Sequence, residues 1–391
     1  MRKIVIASDS FKGSLTSPEV AQAAAAGAAR AFPRCETICL DIADGGEGTS
    51  ATLTKALGGH TETATVSDPL GRKIQATYGI AEISGTPTAI IEMSQASGLP
   101  LLKASERNPL LTSTYGTGEL ILDALSKGCS RFIIGIGGSA TNDGGTGMLE
   151  ALGAKFTDAH GNPIAGLCGG NIGSIRKIDT GSFPRALVEA EFVVACDVET
   201  GFFGPEGAAA VFGPQKGATP DMVAELDEGM QNLSTVIERD FGKALNGIKG
   251  SGAAGGLGGA FYAFLNAKLQ KGIDLVLESI RFEEAIAGAD LIITGEGRID
   301  GQTGQGKVIS GITAAARRHG IPTIAIAGMV DMDPQQMQEC GLMAAYEIGP
   351  RPQNESDLEY AMRSEVASMN ISDTVARALE SLSPSLFRGN L

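Results

Sequence analysis

Four times along this chain a short aliphatic run stops at a cluster of glycine and polar residues, and a helical pattern follows. Lys3-Ile-Val-Ile-Ala7 stops at Ser8-Asp-Ser-Phe-Lys-Gly-Ser14, and Thr37–Ala43 stops at Asp44-Gly-Gly-Glu-Gly48. Phe132-Ile-Ile134 runs into Gly135-Ile-Gly-Gly-Ser-Ala-Thr-Asn-Asp-Gly-Gly-Thr-Gly147, and Ala289–Thr294 into Gly295-Glu-Gly-Arg-Ile-Asp300. Continuous apolar runs of this length suit strands buried on both faces, and alternation with helices suits a parallel sheet. The chain is therefore expected to be α/β, with polar loops at the carboxyl ends of strands, where open sheets of this kind bind ligands.

The pattern changes between residues 61 and 92. Thr61–Val66, Lys73–Ile80 and Thr88–Glu92 alternate in polarity and are separated by Gly and Pro, which predicts antiparallel or mixed strands. The buried-strand pattern resumes near 285 and continues through helix 308–319, strands 322–327 and 344–348, and a closing helix 357–382. These shifts predict two domains. Residues 1–60 plus 285–391 form a discontinuous, Rossmann-like domain with a mostly parallel sheet, and 61–284 form an inserted mixed-sheet α/β domain carrying the central glycine-rich loop. The 54 glycines, about twice the usual ~7% share, gather at the ends of apolar runs, as tight strand-to-helix turns require.

Composition narrows the function. A net charge of −14 argues against nucleic acid as a partner, since gripping its phosphates takes clustered Lys and Arg. The six cysteines contain no C-x-x-C, so neither a disulfide framework nor a zinc site is expected. With three scattered histidines, a Ser-His-Asp triad or a histidine metal cluster is hard to build. The apolar run at residues 4–7 is too short for a signal peptide, and no run of 18 apolar residues occurs. A cytoplasmic location without membrane contact is expected.

The loops carry the chemistry. Gly135-x-Gly137-x-x-Ala140 fits the dinucleotide fingerprint, but Asn142-Asp-Gly-Gly145 falls where its helix should run. Main-chain N–H groups of such a turn can grip a phosphate, while Ser139, Thr141, Asn142 and Asp143 add hydroxyl, amide and carboxylate groups; a plain structural turn is the alternative. Lys249–Gly259 is a second glycine-rich stretch, read either as another phosphate loop or as close helix packing. Gly301-Gln-Thr-Gly-Gln-Gly-Lys307 nearly matches a P-loop, but Val308 lacks the hydroxyl that would ligate Mg²⁺. Asp9 and Lys12, Asp44 and Glu47, Asp197, Lys216, and Glu296 complete a set of acids and isolated lysines at strand ends and turns. Such a set suits phosphoryl transfer, which needs phosphate cradling, Mg²⁺ and one base rather than a covalent nucleophile. A nucleotide-dependent hydroxy-acid dehydrogenase and a non-catalytic sensor of a phosphorylated metabolite are the competing readings.

Several long motifs, in order, resemble the bacterial type I glycerate kinases. They are Asp9-Ser-Phe-Lys12, Ala43-Asp-Gly-Gly-Glu-Gly-Thr49, Gly137-Gly-Ser-Ala-Thr-Asn-Asp-Gly-Gly145, Phe212-Gly-Pro-Gln-Lys-Gly-Ala-Thr-Pro220, Gly252-Ala-Ala-Gly-Gly256 and Ile293-Thr-Gly-Glu-Gly-Arg-Ile-Asp300, followed by Gly306-Lys307. Thr200-Gly-Phe202 departs from the family's usual Asn-Pro-Leu. The resemblance implies ATP- and Mg²⁺-dependent phosphorylation of D-glycerate, with the 2-phospho product favoured, in a cleft between two α/β domains; a homodimer is compatible with it. On that basis Asp197, Asp9 and Lys12 are the expected catalytic residues, with Asp197 favoured as the base. Ser10, Gly45, Gly46, Gly137, Gly138, Ser139, Thr141, Asn142, Lys216, Arg298 and Lys307 are expected to bind glycerate or ATP, and Asp44, Glu47, Asp143 and Glu296 to hold the metal.

Overall fold

The computed structural model describes residues 1–11, 13–42, 48–300 and 307–382, with the side chain of Lys307 excluded. Its contacts divide the chain into two units, Met1–Asp44 with Ile273–Leu391, and Gly45–Gly272.

In the first unit a five-stranded sheet runs in the order Ala344–Glu347, Thr323–Asp331, Leu291–Asp300, Lys3–Ser8, Glu36–Asp41, with every pairing parallel. Ile4, Val5, Ile6 and Ala7 have no exposed surface, as an aliphatic run covered on both faces must. One face is covered by helices Ser17–Ala31 and Ser364–Ser381, the other by Gly272–Ser279, Phe282–Ile286 and Lys307–Arg318. At the start of Ser17–Ala31 the Glu19 carboxylate accepts the Thr16 N–H at 2.8 Å, and Pro18 occupies the first turn, as the Thr16-Ser-Pro-Glu19 pattern predicts. From Lys3–Ser8 the chain first moves outward to Glu36–Asp41, and it later returns to build the other side of the sheet from Leu291–Asp300. The order thus reverses between Lys3–Ser8 and Leu291–Asp300, and the carboxyl ends of these strands flank the topological switch point.

In the second unit a six-stranded mixed sheet runs Lys268–Gln270, Glu191–Ala195, Arg131–Gly135, Thr86–Glu92, Lys73–Ile83, His60–Ser67. The first four are parallel, and the last three pair antiparallel, where the sequence alternates. Phe132 and Phe192 stack at 4.6 Å between ring centroids in the core of this unit. A small antiparallel sheet of Lys155–Thr157, Pro163–Ile164 and Lys177–Asp179, unmarked by any alternation long enough to read, completes it.

Several elements differ from expectation. The limits fall at 44/45 and 272/273 rather than 60/61 and 284/285. Helix Thr49–Ala56 packs on strands Lys73–Ile83 and Thr86–Glu92, and helices Gly272–Ser279 and Phe282–Ile286 pack beneath the five-stranded sheet. After the second glycine-rich stretch a helix spans Leu257–Phe264; Asn266, in the left-handed region at φ 49°, turns the chain into a strand at Lys268. The closing helix is two, Glu355–Ala361 and Ser364–Ser381.

Candidate active site

At the switch point of the five-stranded sheet, Gly295 holds the end of the first strand. Its carbonyl accepts the Asp9 N–H at 2.9 Å and the Ser8 hydroxyl at 3.0 Å. This fixes Asp9 beside the strand that carries Glu296. Asp9 Oδ1 accepts the Ser10 N–H at 2.7 Å, and Asp9, Ser10 and Glu296 are all half-buried. Asp9 and Ser10 thus lie just past the end of Lys3–Ser8, with Glu296 the next residue after Gly295 midway along the adjacent parallel strand. Arg298, two residues further along the same strand, is exposed and pairs with Asp331 at 2.9 Å and Asp300 at 3.6 Å. Its guanidinium is committed to carboxylates, not presented alone to an anion. Lys12, Asp44, Gly45, Gly46, Glu47 and the side chain of Lys307 lie outside the described residues.

The central loop of the second unit leaves strand Arg131–Gly135 and enters helix Thr146–Ala151. Gly137 and Gly138 are exposed, with Gly138 at φ 71°. The rest of the loop sinks inward: Ser139 is nearly buried, and Thr141, Asn142 and Asp143 are wholly so. The ten residues between strand and helix, and the six-residue helix that follows, do not make the tight strand-to-helix entry of a dinucleotide site, so the G-x-G-x-x-A match has no matching geometry.

Asp143 was expected to hold metal; the structure gives it another task. Its Oδ2 accepts from the Thr114 N–H and hydroxyl at 2.8 Å each and from the Gly147 N–H at 3.2 Å, while Oδ1 accepts from the Gly145 N–H at 3.1 Å. Burial pushes the carboxyl above its usual range, and those hydrogen bonds work against the shift. The Thr114 hydroxyl in turn accepts the Met148 N–H at 2.9 Å, so the polar turn at 112–118 caps a neighbouring helix through its threonine. Asp143 therefore organises the loop from within.

The second glycine-rich stretch is the wall against which the first is built. The Gly255 carbonyl accepts the Gly144 N–H at 2.9 Å. A Cβ at Gly255, which sits at φ 66°, would lie 2.1 Å from the Thr141 carbonyl oxygen. Of the two readings for Lys249–Gly259, close packing holds. Phe202, in the departing Thr200-Gly-Phe202 segment, is fully buried against both loops, its ring beside Gly144, Gly256 and Gly259.

The glycines around Lys216 suggest a side chain exposed to an anion. Lys216 is instead 1% exposed, and its Nζ donates to the Thr141 carbonyl at 2.6 Å, beside the Phe212 ring at 6.0 Å. Burial lowers its pKa from 10.5 to about 7, with Asp143 opposing the shift. The depressed value sets a sign. Between about 7 and 10.5 the unfolded lysine holds a proton that the folded one has shed. The contribution is thus complete above 10.5 and is lost as pH falls through about 7. Unfolding free energy should rise on the order of a few kcal/mol across that window in urea titrations, and Lys216→Met should flatten the rise.

Asp197 follows strand Glu191–Ala195 and is exposed, with Oδ1 accepting the Gly272 N–H at 3.0 Å. The structure also shows a residue that the sequence reading passed over. Glu92, paired in register with Gly135, is nearly buried, and its carboxylate accepts the Ser50 N–H at 2.7 Å and the Gly48 N–H at 3.3 Å. It anchors the chain at Gly48 and Ser50, just past the Asp44-Gly-Gly-Glu47 sequence. An acid ending the aliphatic run Ala89-Ile-Ile91 was the available signal. Among the described residues, no group of three or more His, Cys, Asp or Glu gathers as a metal shell, and no helix is long and apolar enough to cross a membrane.

Comparison with known proteins bears on the whole chain. A model of the glycerate kinase family matches residues 4–382. The chain is 44% identical over 371 residues to a glycerate kinase of Halalkalibacterium halodurans, covering 93% of this chain and 97% of the relative. It is 45% identical over 346 residues to the glycerate 2-kinase of Escherichia coli, covering 88% and 90%. A solved Salmonella typhimurium LT2 protein, provisionally named glycerate kinase 2, superposes with a TM-score of 0.85 at 42% identity over 97% of this chain and 98% of that one. With motif order, α/β architecture and these alignments in agreement from end to end, the chain belongs to the glycerate kinase family.

Proposed function

We propose that the protein transfers the γ-phosphoryl group of ATP to D-glycerate, with 2-phosphoglycerate as the favoured product. The observation that carries this reading is the 45% identity, across nine-tenths of its length, to a relative named glycerate 2-kinase. The local geometry supports it. An exposed carboxylate, Asp197, stands at the carboxyl end of a parallel strand, and a glycine-rich turn exposes main chain at Gly137 and Gly138. Two further acids, Asp9 and Glu296, flank a switch point.

In this reading Asp197 accepts the proton of the glycerate hydroxyl as that oxygen attacks the γ-phosphorus, and ADP departs with the bridging oxygen. Asp9 is the second candidate for the base. Main-chain N–H groups at Gly137–Ser139 supply hydrogen bonds to phosphate or carboxylate, which costs no reorganisation because the loop is fixed from beneath by Asp143. Lys12, Lys307 and Ser10 with the Asp44–Glu47 loop are the remaining binding groups. Mg²⁺ is usually held by one or two carboxylates and substrate phosphates rather than by a protein cage. Glu296, half-buried at the switch point, fits that demand, whereas Asp143, wholly buried and bonded through both oxygens, does not; Asp44 and Glu47, the other acids proposed for the metal, lie outside the described residues. Bound at Glu296, the ion would screen phosphate charge.

The test is direct. Wild-type protein with Mg-ATP should release ADP only when D-glycerate is added, and ³¹P NMR should report the 2-phospho ester. Asp197→Asn should lower kcat by about 100-fold or more, the range seen when a general base is lost. A kcat within about tenfold of wild type would remove Asp197 from that role.

A further inference from the structure

We propose that Lys216 is a positioning residue of the reaction, acting through the glycine-rich loop rather than on a substrate. The inference rests on the kinase reading for its activity arm alone. The side chain reaches the loop from the turn Pro214–Lys216 and delivers its Nζ to the carbonyl of Thr141, at 2.6 Å. The backbone behind it is fixed, because Gly217, at φ 92°, lies so close to Arg107 that a Cβ there would sit 2.3 Å from the Arg107 carbonyl oxygen. The reach of the lysine is therefore set, and with it the place of the Thr141–Asn142 peptide. Two residues on, the Gly144 N–H is held by the Gly255 carbonyl. The loop is also held at Ala140, whose N–H donates to the Ser97 carbonyl at 2.9 Å and whose carbonyl accepts the Thr112 hydroxyl at 2.9 Å, and through the Asp143 carboxylate; Lys216 holds the Thr141 carbonyl between these points.

A buried amine is a poor choice for stability. Met has nearly the same reach and suits the Phe212 ring, and replacing a buried charge with an apolar side chain is often neutral or stabilising. What Met cannot do is donate to the carbonyl. The Thr141 hydroxyl and both amide atoms of Asn142, next to the clamped carbonyl, are buried with no hydrogen-bond partner among the described residues. Polar groups without partners hold a loop in no particular pose, so at Thr141–Asn142 the pose depends on the main chain, and there Lys216 is what grips the carbonyl. The exposed Gly137–Gly138 turn is the outer end of the same loop, and displacement of a binding group by about 1 Å can cost on the order of 100-fold in rate.

The experiment uses the full-length protein and Lys216→Met. The variant should melt close to wild type. Its kcat should fall by about 100-fold while KM for ATP and for D-glycerate stays within about threefold. Amide hydrogen exchange in peptides covering residues 136–147 should speed up by about tenfold or more. Unchanged exchange across that segment overturns the proposal, whatever the activity does. So does a rise in KM with kcat preserved, which would mean direct contact with a ligand. If wild type releases no ADP with glycerate, the kinase reading fails, and exchange alone decides the clamp. Should the Met variant not fold, Lys216→Leu, which also lacks a donor, is measured in the same way and judged by the same outcomes.

Discussion

Asp143→Ala should lower the unfolding free energy by about 4 kcal/mol, read from urea titration, and abolish turnover with it. The substitution removes one acceptor group and strands the donors that converge on it: the Thr114 N–H and hydroxyl and the N–H groups of Gly145 and Gly147. Each buried orphan costs roughly 1–3 kcal/mol, and relaxation together with relief of a buried carboxylate returns part of the sum. Loss should spread to helix Thr146–Ala151, whose Met148 N–H depends on the Thr114 hydroxyl. Asp143→Asn separates shape from chemistry. It preserves volume but turns an NH₂ toward some of the same donors, so it should cost about half as much. An Ala variant with the wild-type midpoint would show that the loop stands without its anion.

Gly255→Ala should be nearly as damaging, about 3 kcal/mol by the same measurement. Two costs add. The left-handed conformation at φ 66° costs a residue with a Cβ about 1–2 kcal/mol, and the new methyl meets backbone, not a side chain that could swing away. It would lie 2.1 Å from the Thr141 oxygen and 2.6 Å from the Asn142 Cα. Overpacking of that kind costs about 1–3 kcal/mol. Gly58→Ala is the control, since Gly58 shares a positive φ of 67° but has nothing within 4 Å of a Cβ. It should show the conformational cost alone. Equal losses at the two positions would mean that the approach of the two loops contributes nothing.

Much of the architecture could be read from the sequence because burial on both faces writes an uninterrupted aliphatic run, as in Ile4-Val-Ile-Ala7 and Leu291-Ile-Ile293. The antiparallel segment was equally plain, since one covered face writes an alternation. The breaks were harder. Nothing local marks where helix Leu257–Phe264 ends, because Leu265 and Ala267 are buried and continue the apolar pattern into the following strand. The site divides in the same way. Loops at strand ends could be located, since their glycines and acids interrupt apolar runs. Which way a side chain points in them could not. Flanking glycines suggested that Lys216 was exposed, but they report the turn of the main chain, and its Nζ runs inward to a carbonyl 75 residues away in sequence. Asp143 misled for a related reason. Carboxylates that grip metal and carboxylates that gather backbone N–H groups look alike until their neighbours are known, and Thr114 is a distant one.

The two glycine-rich stretches touch backbone to backbone, so neither can drift alone over evolutionary time. A side chain at Gly255 has no room unless Thr141 and Asn142 give way, and one at Gly256 would press within 2.8 Å of the Gly144 Cα. Family members that differ in one stretch should therefore carry a matched change in the other. A chimera that takes only one of them from a divergent relative should fail to fold, where a chimera exchanging both succeeds.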